Sequence, residues 1–87
     1  MYEESLMEEW LAVVGKRTFV KYYFDFKMGR ATLLEFSKSS AYNRILAAGQ
    51  IFKNGYHKAA LQYIASSKSV ARDTALLAQA IYNIETY

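Results

Sequence analysis

Apolar residues recur at three- and four-residue intervals along almost the whole chain, and only one short stretch alternates instead. That periodicity is the strongest constraint on the fold, because one face of a helix repeats about every 3.6 residues and one face of a strand every second residue. Residues 18–28 carry the alternation: Thr18, Val20, Tyr22, Phe24 and Phe26 interleave with Phe19, Lys21, Tyr23, Asp25 and Lys27. These residue types favour a strand. The same stretch also places Phe19, Tyr22, Tyr23 and Phe26 at helical spacing. The chain offers no second strand candidate, and a lone strand leaves its backbone groups unpaired. Helix is therefore the expected state, with a strand paired across a dimer as the alternative.

The rest of the chain follows the helical period. Glu3–Val14 reads as a helix with Leu6, Trp10 and Val13 on one face and Met7, Leu11 and Val14 beside them, stopped by Gly15. Its early glutamates suit the positive end of a helix dipole. Thr32-Leu-Leu-Glu35 has the form of a capping box and is expected to start a short helix, interrupted by Ser37–Ser40. Ala41–Asn54 follows, with Tyr42, Ile45, Leu46, Gly49 and Phe52 as its stripe, ended by Gly55. Tyr56–Ser66 carries Tyr56, Ala59, Ala60, Tyr63 and Ile64. Ser69 can cap a last helix that runs to about Glu85 on Val70, Thr74, Leu77, Ala78, Ile81 and Ile84. The expected fold is all-α: one domain over residues 1–87, a compact orthogonal array or bundle of five to six short helices.

A chain of 87 residues has a thin core, which the 53% of apolar and aromatic residues compensates. There is no Cys, so no disulfide and no thiolate metal site can form. No uncharged stretch approaches the roughly 20 residues that span a bilayer. Glu3, Glu4, Glu8 and Glu9 oppose the basic start of a signal peptide. The expected location is the cytoplasm of a microbial or virus-infected cell. Chemistry is sparse. His57 is the single histidine, the four glycines are too scattered to cradle a phosphate, and the glutamate pairs of the first helix read as a solvated face. The sequence reads as a non-enzyme without metal or cofactor.

Charge is unevenly spread. All eleven Lys and Arg lie between Lys16 and Arg72 with only Asp25 and Glu35 among them, which leaves +9 over a stretch that the net charge of +3 conceals. A basic segment of this kind attracts polyanions. Lys16-Arg17-Thr-Phe-Val-Lys21-Tyr22-Tyr23-Phe24 interleaves cations with aromatic rings, extended by Lys27 and Arg30. Either these rings stack on bases, or they are core residues whose lysine neighbours reach solvent.

Leu61-Gln-Tyr-Ile64-Ala65 and Ser69-Val70-Ala71-Arg-Asp-Thr74-Ala75-Leu-Leu-Ala78, joined by Ser-Ser-Lys, resemble the helix-turn-helix of bacterial and phage repressors. Leu61 and Ile64 match the apolar positions of the first helix, Ala65 the small residue at the crossing, and Val70, Thr74, Ala75 and Ala78 the second helix. Ser69 stands where the pattern usually has Gly, and Leu76 and Leu77 stand among its outward positions with Arg72, Asp73 and Ala80. The resemblance implies a DNA-binding protein in which Arg72 and Gln79 face bases. The basic side chains Lys16, Arg17, Lys21, Arg30, Lys38, Arg44, Lys68 and Arg72 are the candidates for phosphate contacts. A homodimer through the apolar face of the last helix is expected. Residues 47–65 also resemble a single tetratricopeptide hairpin, one residue short between Phe52 and Gly55, which implies an antiparallel helix pair. The alternative function is a protein–protein module, such as an inhibitor, immunity factor or assembly subunit, that meets an acidic partner through exposed tyrosines.

Overall fold

Six helices make up most of residues 4–87, the part of the chain that the computed structural model describes: α1 Glu4–Val14, α2 Lys16–Lys21, α3 Tyr23–Lys27, α4 Lys38–Lys53, α5 His57–Ala65 and α6 Arg72–Glu85. No strand forms among these residues. Glu3, expected to open the first helix, lies outside them. The array packs as two main helix pairs, α1 on α4 and α5 on α6, with α2 and α3 between them.

The seam of α1 is Met7, Leu11 and Val14, all buried, while Leu6 and Trp10 are half-buried and Val13 is exposed. The face expected from Leu6, Trp10 and Val13 is thus turned to the edge. Gly15 ends α1 at φ +88°, a conformation cheap only for glycine, and its carbonyl accepts from Phe19 N at 2.9 Å to begin α2 at once. Residues 18–28 are helical but break at Tyr22 (φ −110°, ψ 21°). Seven of the eleven residues there are aromatic or β-branched, which weakens a regular helix and explains the strand-like pattern. The break keeps Phe19, Val20, Tyr23 and Phe26 all in the core, where Phe19 meets Tyr23 edge-on at 5.6 Å and stacks with Phe52 at 5.8 Å.

Thr32–Glu35 does not become a helix. Leu33 is buried with φ +51°, and Glu35 turns its carboxylate to Tyr22 and Lys21 instead of the Thr32 amide. Burial of one leucine overrides the local capping signal. Ser37, in an extended conformation, caps α4 by accepting from Ser40 N at 3.3 Å, so the helix starts three residues ahead of its expected start at Ala41. Its buried side is Ala41, Ala47, Ala48 and Ile51; Tyr42, Leu46 and Gly49 of the expected stripe face solvent. Small alanines let α4 lie close on α1. α5 buries Ala60, Leu61 and Ile64, and α6 buries Thr74, Ala78 and Ile81, leaving Leu77 and Ile84 exposed against expectation. The helices of the 47–65 hairpin form, yet they touch each other little, because α4 belongs to α1 and α5 to α6. The radius of gyration, 12.0 Å, equals the about 12 Å expected of a compact chain of this length. No helix among the described residues is long and apolar enough to cross a membrane.

Candidate nucleic-acid interface

Two clefts meet where α2 lies against the start of α6. The larger, about 460 Å³, has Lys16 and Arg17 on one side, Ser69, Val70 and Ala71 on the other, and Thr74 between them. The second, about 290 Å³, shares Arg17 and Thr74 and adds Lys21, Asp73 and Leu77. They form one groove, and its positions follow from local folding. Gly15 turns the chain so that α2 opens with two cations at the groove mouth. The 66–71 link then lays its serines across from them.

Lys16 is held in place. Its Nζ donates to Ser69 Oγ at 2.9 Å and Ser67 Oγ at 3.2 Å, and it lies 5.2 Å from the Tyr63 ring centroid. Arg17 is exposed and makes no hydrogen bond or ion pair within the described residues. Lys21 sits 3.7 Å from Glu35. The Tyr22 hydroxyl, with help from Lys21 and Arg17, holds the Glu35 carboxyl below the usual carboxylate range. Lys68 projects from the link and Arg72 opens α6, both exposed and without a partner in the described residues. Asp73 spends one oxygen on the Thr74 amide at 2.9 Å, a contact within the first turn of its own helix. The groove is thus lined by Lys16, Arg17 and Lys21 with Asp73 opposite, while Lys68 and Arg72 neighbour its lining residues Ser69 and Ala71 in the chain and Glu35 is tied to Lys21.

Four of the expected contact residues lie elsewhere. Arg30 pairs with Asp25 at 3.2 Å beyond α3. Lys38 opens α4. Gln79, two turns beyond Arg72 on the same face of α6, donates to Asn83 Oδ1 at 3.0 Å and borders a separate hollow with Gln62 and Ser66. Arg44 is not a free surface cation. It donates to the Val14 carbonyl at 2.6 Å and to Ser40 Oγ at 3.0 Å and stacks on the Phe36 ring, 4.0 Å away. It closes the C-terminal end of α1, whose last carbonyls lack helical partners.

Arg72, Asp73, Leu76, Leu77 and Ala80, the outward positions that the helix-turn-helix resemblance implies, are all exposed on α6. The link is six residues long, against about 3–4 in that motif. Ser69 does not cap α6, whose N-cap is Ala71, and it does not adopt the left-handed conformation; among the described non-glycine residues that belongs to Leu33. Ser69 serves as an acceptor for Lys16.

A second polar cluster, which sequence reasoning missed, lies at the far end of α6. Glu85, its side chain 8% exposed, accepts from Tyr23 Oη at 2.9 Å and from Lys27 Nζ at 2.8 Å. His57 stacks on Phe52 at 5.1 Å nearby, its Nδ1 buried without a hydrogen bond. Helical spacing marks Glu85 only as a polar residue in a last turn; its partners are about sixty positions away. No group of three or more His, Asp and Glu side chains among the described residues is arranged to hold a metal. Set against known proteins, the chain matches no family model, no curated protein and no solved structure.

Proposed function

We propose that this chain is a non-enzymatic nucleic-acid-binding protein that takes duplex DNA along the groove between α2 and the start of α6. The observation that carries the reading is the row of Lys16, Arg17 and Lys21 along one wall of the groove, with Lys68 and Arg72, exposed and unpaired among the described residues, in the chain segment that forms its other wall. Cations so placed follow a phosphate backbone and supply affinity without base choice. Arg72 and Gln79, on one face of α6, are the side chains available to base edges. Beyond Arg72 and Asp73, the exposed Leu76, Ala80 and Ile84 form an uncharged, apolar strip along α6, which suits pairing with a second copy. Such a dimer would set two grooves side by side, in the manner of a small phage or bacterial regulator.

The test is fluorescence anisotropy with labelled duplex DNA, single-stranded DNA and RNA between about 50 and 200 mM salt. With four or five phosphate contacts per protomer, affinity for the duplex should fall a few hundredfold over that range, on a slope of about −0.9 per contact. Arg17→Ala should reduce the slope by about one and weaken all sequences alike. Absence of binding at the lowest salt sinks the proposal.

A further inference from the structure

The outer side of α4 carries apolar surface that the fold does not use. Lys38, Tyr42, Leu46, Gly49 and Lys53 recur at intervals of three and four, so they form one stripe along the helix, about 22 Å long. All five are exposed, Tyr42 at 63% and Leu46 at 50%. The core side of α4 is complete without them, since Ala41, Ala47, Ala48 and Ile51 already meet α1 and its neighbours. A Cβ added at Gly49 would meet no atom within 4 Å, so the backbone there lies open to close approach. α4 has no acidic residue, and its three charged side chains are all cations. Arg44 is spent on α1, whereas Lys38 and Lys53 make no hydrogen bond or ion pair with any described residue.

We infer that this stripe docks an acidic amphipathic helix of another protein, with leucine-type side chains packed between Tyr42 and Leu46 over Gly49 and carboxylates paired with Lys38 and Lys53. Charge decides among the occupants. A second copy laid antiparallel on the same face would set lysine against lysine at both ends of the seam. A nucleic acid would find two free cations about 22 Å apart with an apolar centre, too sparse a track for a phosphate backbone. A helix with carboxylates at each end of an apolar stripe meets both requirements, as in helix-on-surface recognition generally. This surface is distinct from the α2–α6 groove and does not depend on it.

The experiment is a titration of the ¹⁵N-labelled full chain with a synthetic helical peptide bearing Leu at i, i+4 and i+7 and glutamates beyond both ends of that stripe. Two controls accompany it: a scramble of the same composition, and the same peptide with Lys for every Glu. The acidic helix should bind saturably, with shifts centred on Tyr42, Leu46 and Gly49, and the controls should not. Leu46→Glu with Lys53→Glu, and separately Gly49→Trp, should weaken binding about tenfold or more while the circular-dichroism melt shows the fold intact. Three outcomes would overturn the inference. One is no saturable binding by the acidic helix, or equal binding by its lysine counterpart. Another is shifts confined to Lys16, Arg17 and Lys21, which would make the peptide a polyanion in the groove. The third is a dimer in sedimentation that Leu46→Glu dissolves, which would give the face to a second copy.

Discussion

Arg44 and Arg17 are alike in the sequence and opposite in the molecule. Each sits in a basic, apolar-flanked segment, and composition assigns both to the surface. Arg44 instead reaches across to the Val14 carbonyl and lies close over Gly15, where a Cβ would stand 3.1 Å from its Nη1. The partners stand thirty positions away at Val14 and eight at Phe36, so no local pattern separates this arginine from the free ones. Arg44→Ala removes a charge-assisted bond to a carbonyl and a ring contact, and should cost about 2 kcal/mol. For a domain of this size that is a drop of about 10 °C in Tm, read by thermal circular dichroism. Affinity for duplex DNA should hold, because Arg44 does not line the groove. A drop in affinity with the Tm unchanged would return it to the phosphate-contacting set.

At the scale of elements, the helical periods were legible and their rotations were not. α4 explains why. It has apolar residues on both sides, so spacing alone allows either the Tyr42–Leu46–Gly49 stripe or the alanine side to be the core. The larger side chains look like the better core by transfer energy, yet α4 buries its alanines Ala41, Ala47 and Ala48, small residues that permit the close packing of α4 on α1. The same ambiguity turned Val13, Leu77 and Ile84 outward. Element types survived because the helical period holds even through the aromatic stretch at 18–28, where only the Tyr22 break was unforeseen. Thr32–Glu35 failed because its capping signal is local and the burial of Leu33 is not. The groove was half legible: charge crowding named its cations, but only the fold could show that Lys16, Arg17 and Lys21 line it while Arg30, Lys38 and Arg44 lie elsewhere. Gly49 offers a test of the rotation. It lies in mid-helix at an ordinary helical φ with open space at its Cβ position. Gly49→Ala should therefore raise stability by about 0.5–1 kcal/mol, measured by urea denaturation. A loss of stability would mean that this face is packed.

At the scale of the whole molecule, α6 is a helix fastened at both ends and thinly seated between them. Its core residues Thr74, Ala78 and Ile81 are small or medium in size. Near its start, Lys16 of α2 bonds the serines of the link just before the helix; at its end, Glu85 grips Tyr23 and Lys27 of α3. Acid should act through the second fastening. The hydrogen bond from Lys27, aided by that from Tyr23, holds the Glu85 carboxyl below its usual range against the opposing effect of burial. Its contribution is complete above the ordinary carboxylate value of about 4.3 and fades as pH falls through its own lower pKa. His57 faces the same cluster. Burial, aided by Lys58 and Lys27, depresses its pKa, while Glu85 works the other way. The fold therefore favours the neutral ring, and stability falls once pH drops below about 6.5, where the unfolded chain takes up the proton first. At the alkaline end, burial and then the bond to Glu85 push the Tyr23 phenol above its usual range, so its contribution is full below about 10 and is lost as pH rises beyond. Thermal midpoints should thus hold a plateau between about pH 6.5 and 10, decline first through His57 and decline further through Glu85. His57→Phe keeps a ring against Phe52 and removes the proton site, so it should extend the plateau down toward about pH 5 while leaving the deeper acid loss and the alkaline limb in place. Amide exchange near pH 4 should then open the last turns of α6 before its first turns. If His57→Phe leaves the acid limb unchanged, or the N-terminal end of α6 opens first, the cluster at Glu85 is not what holds this helix down.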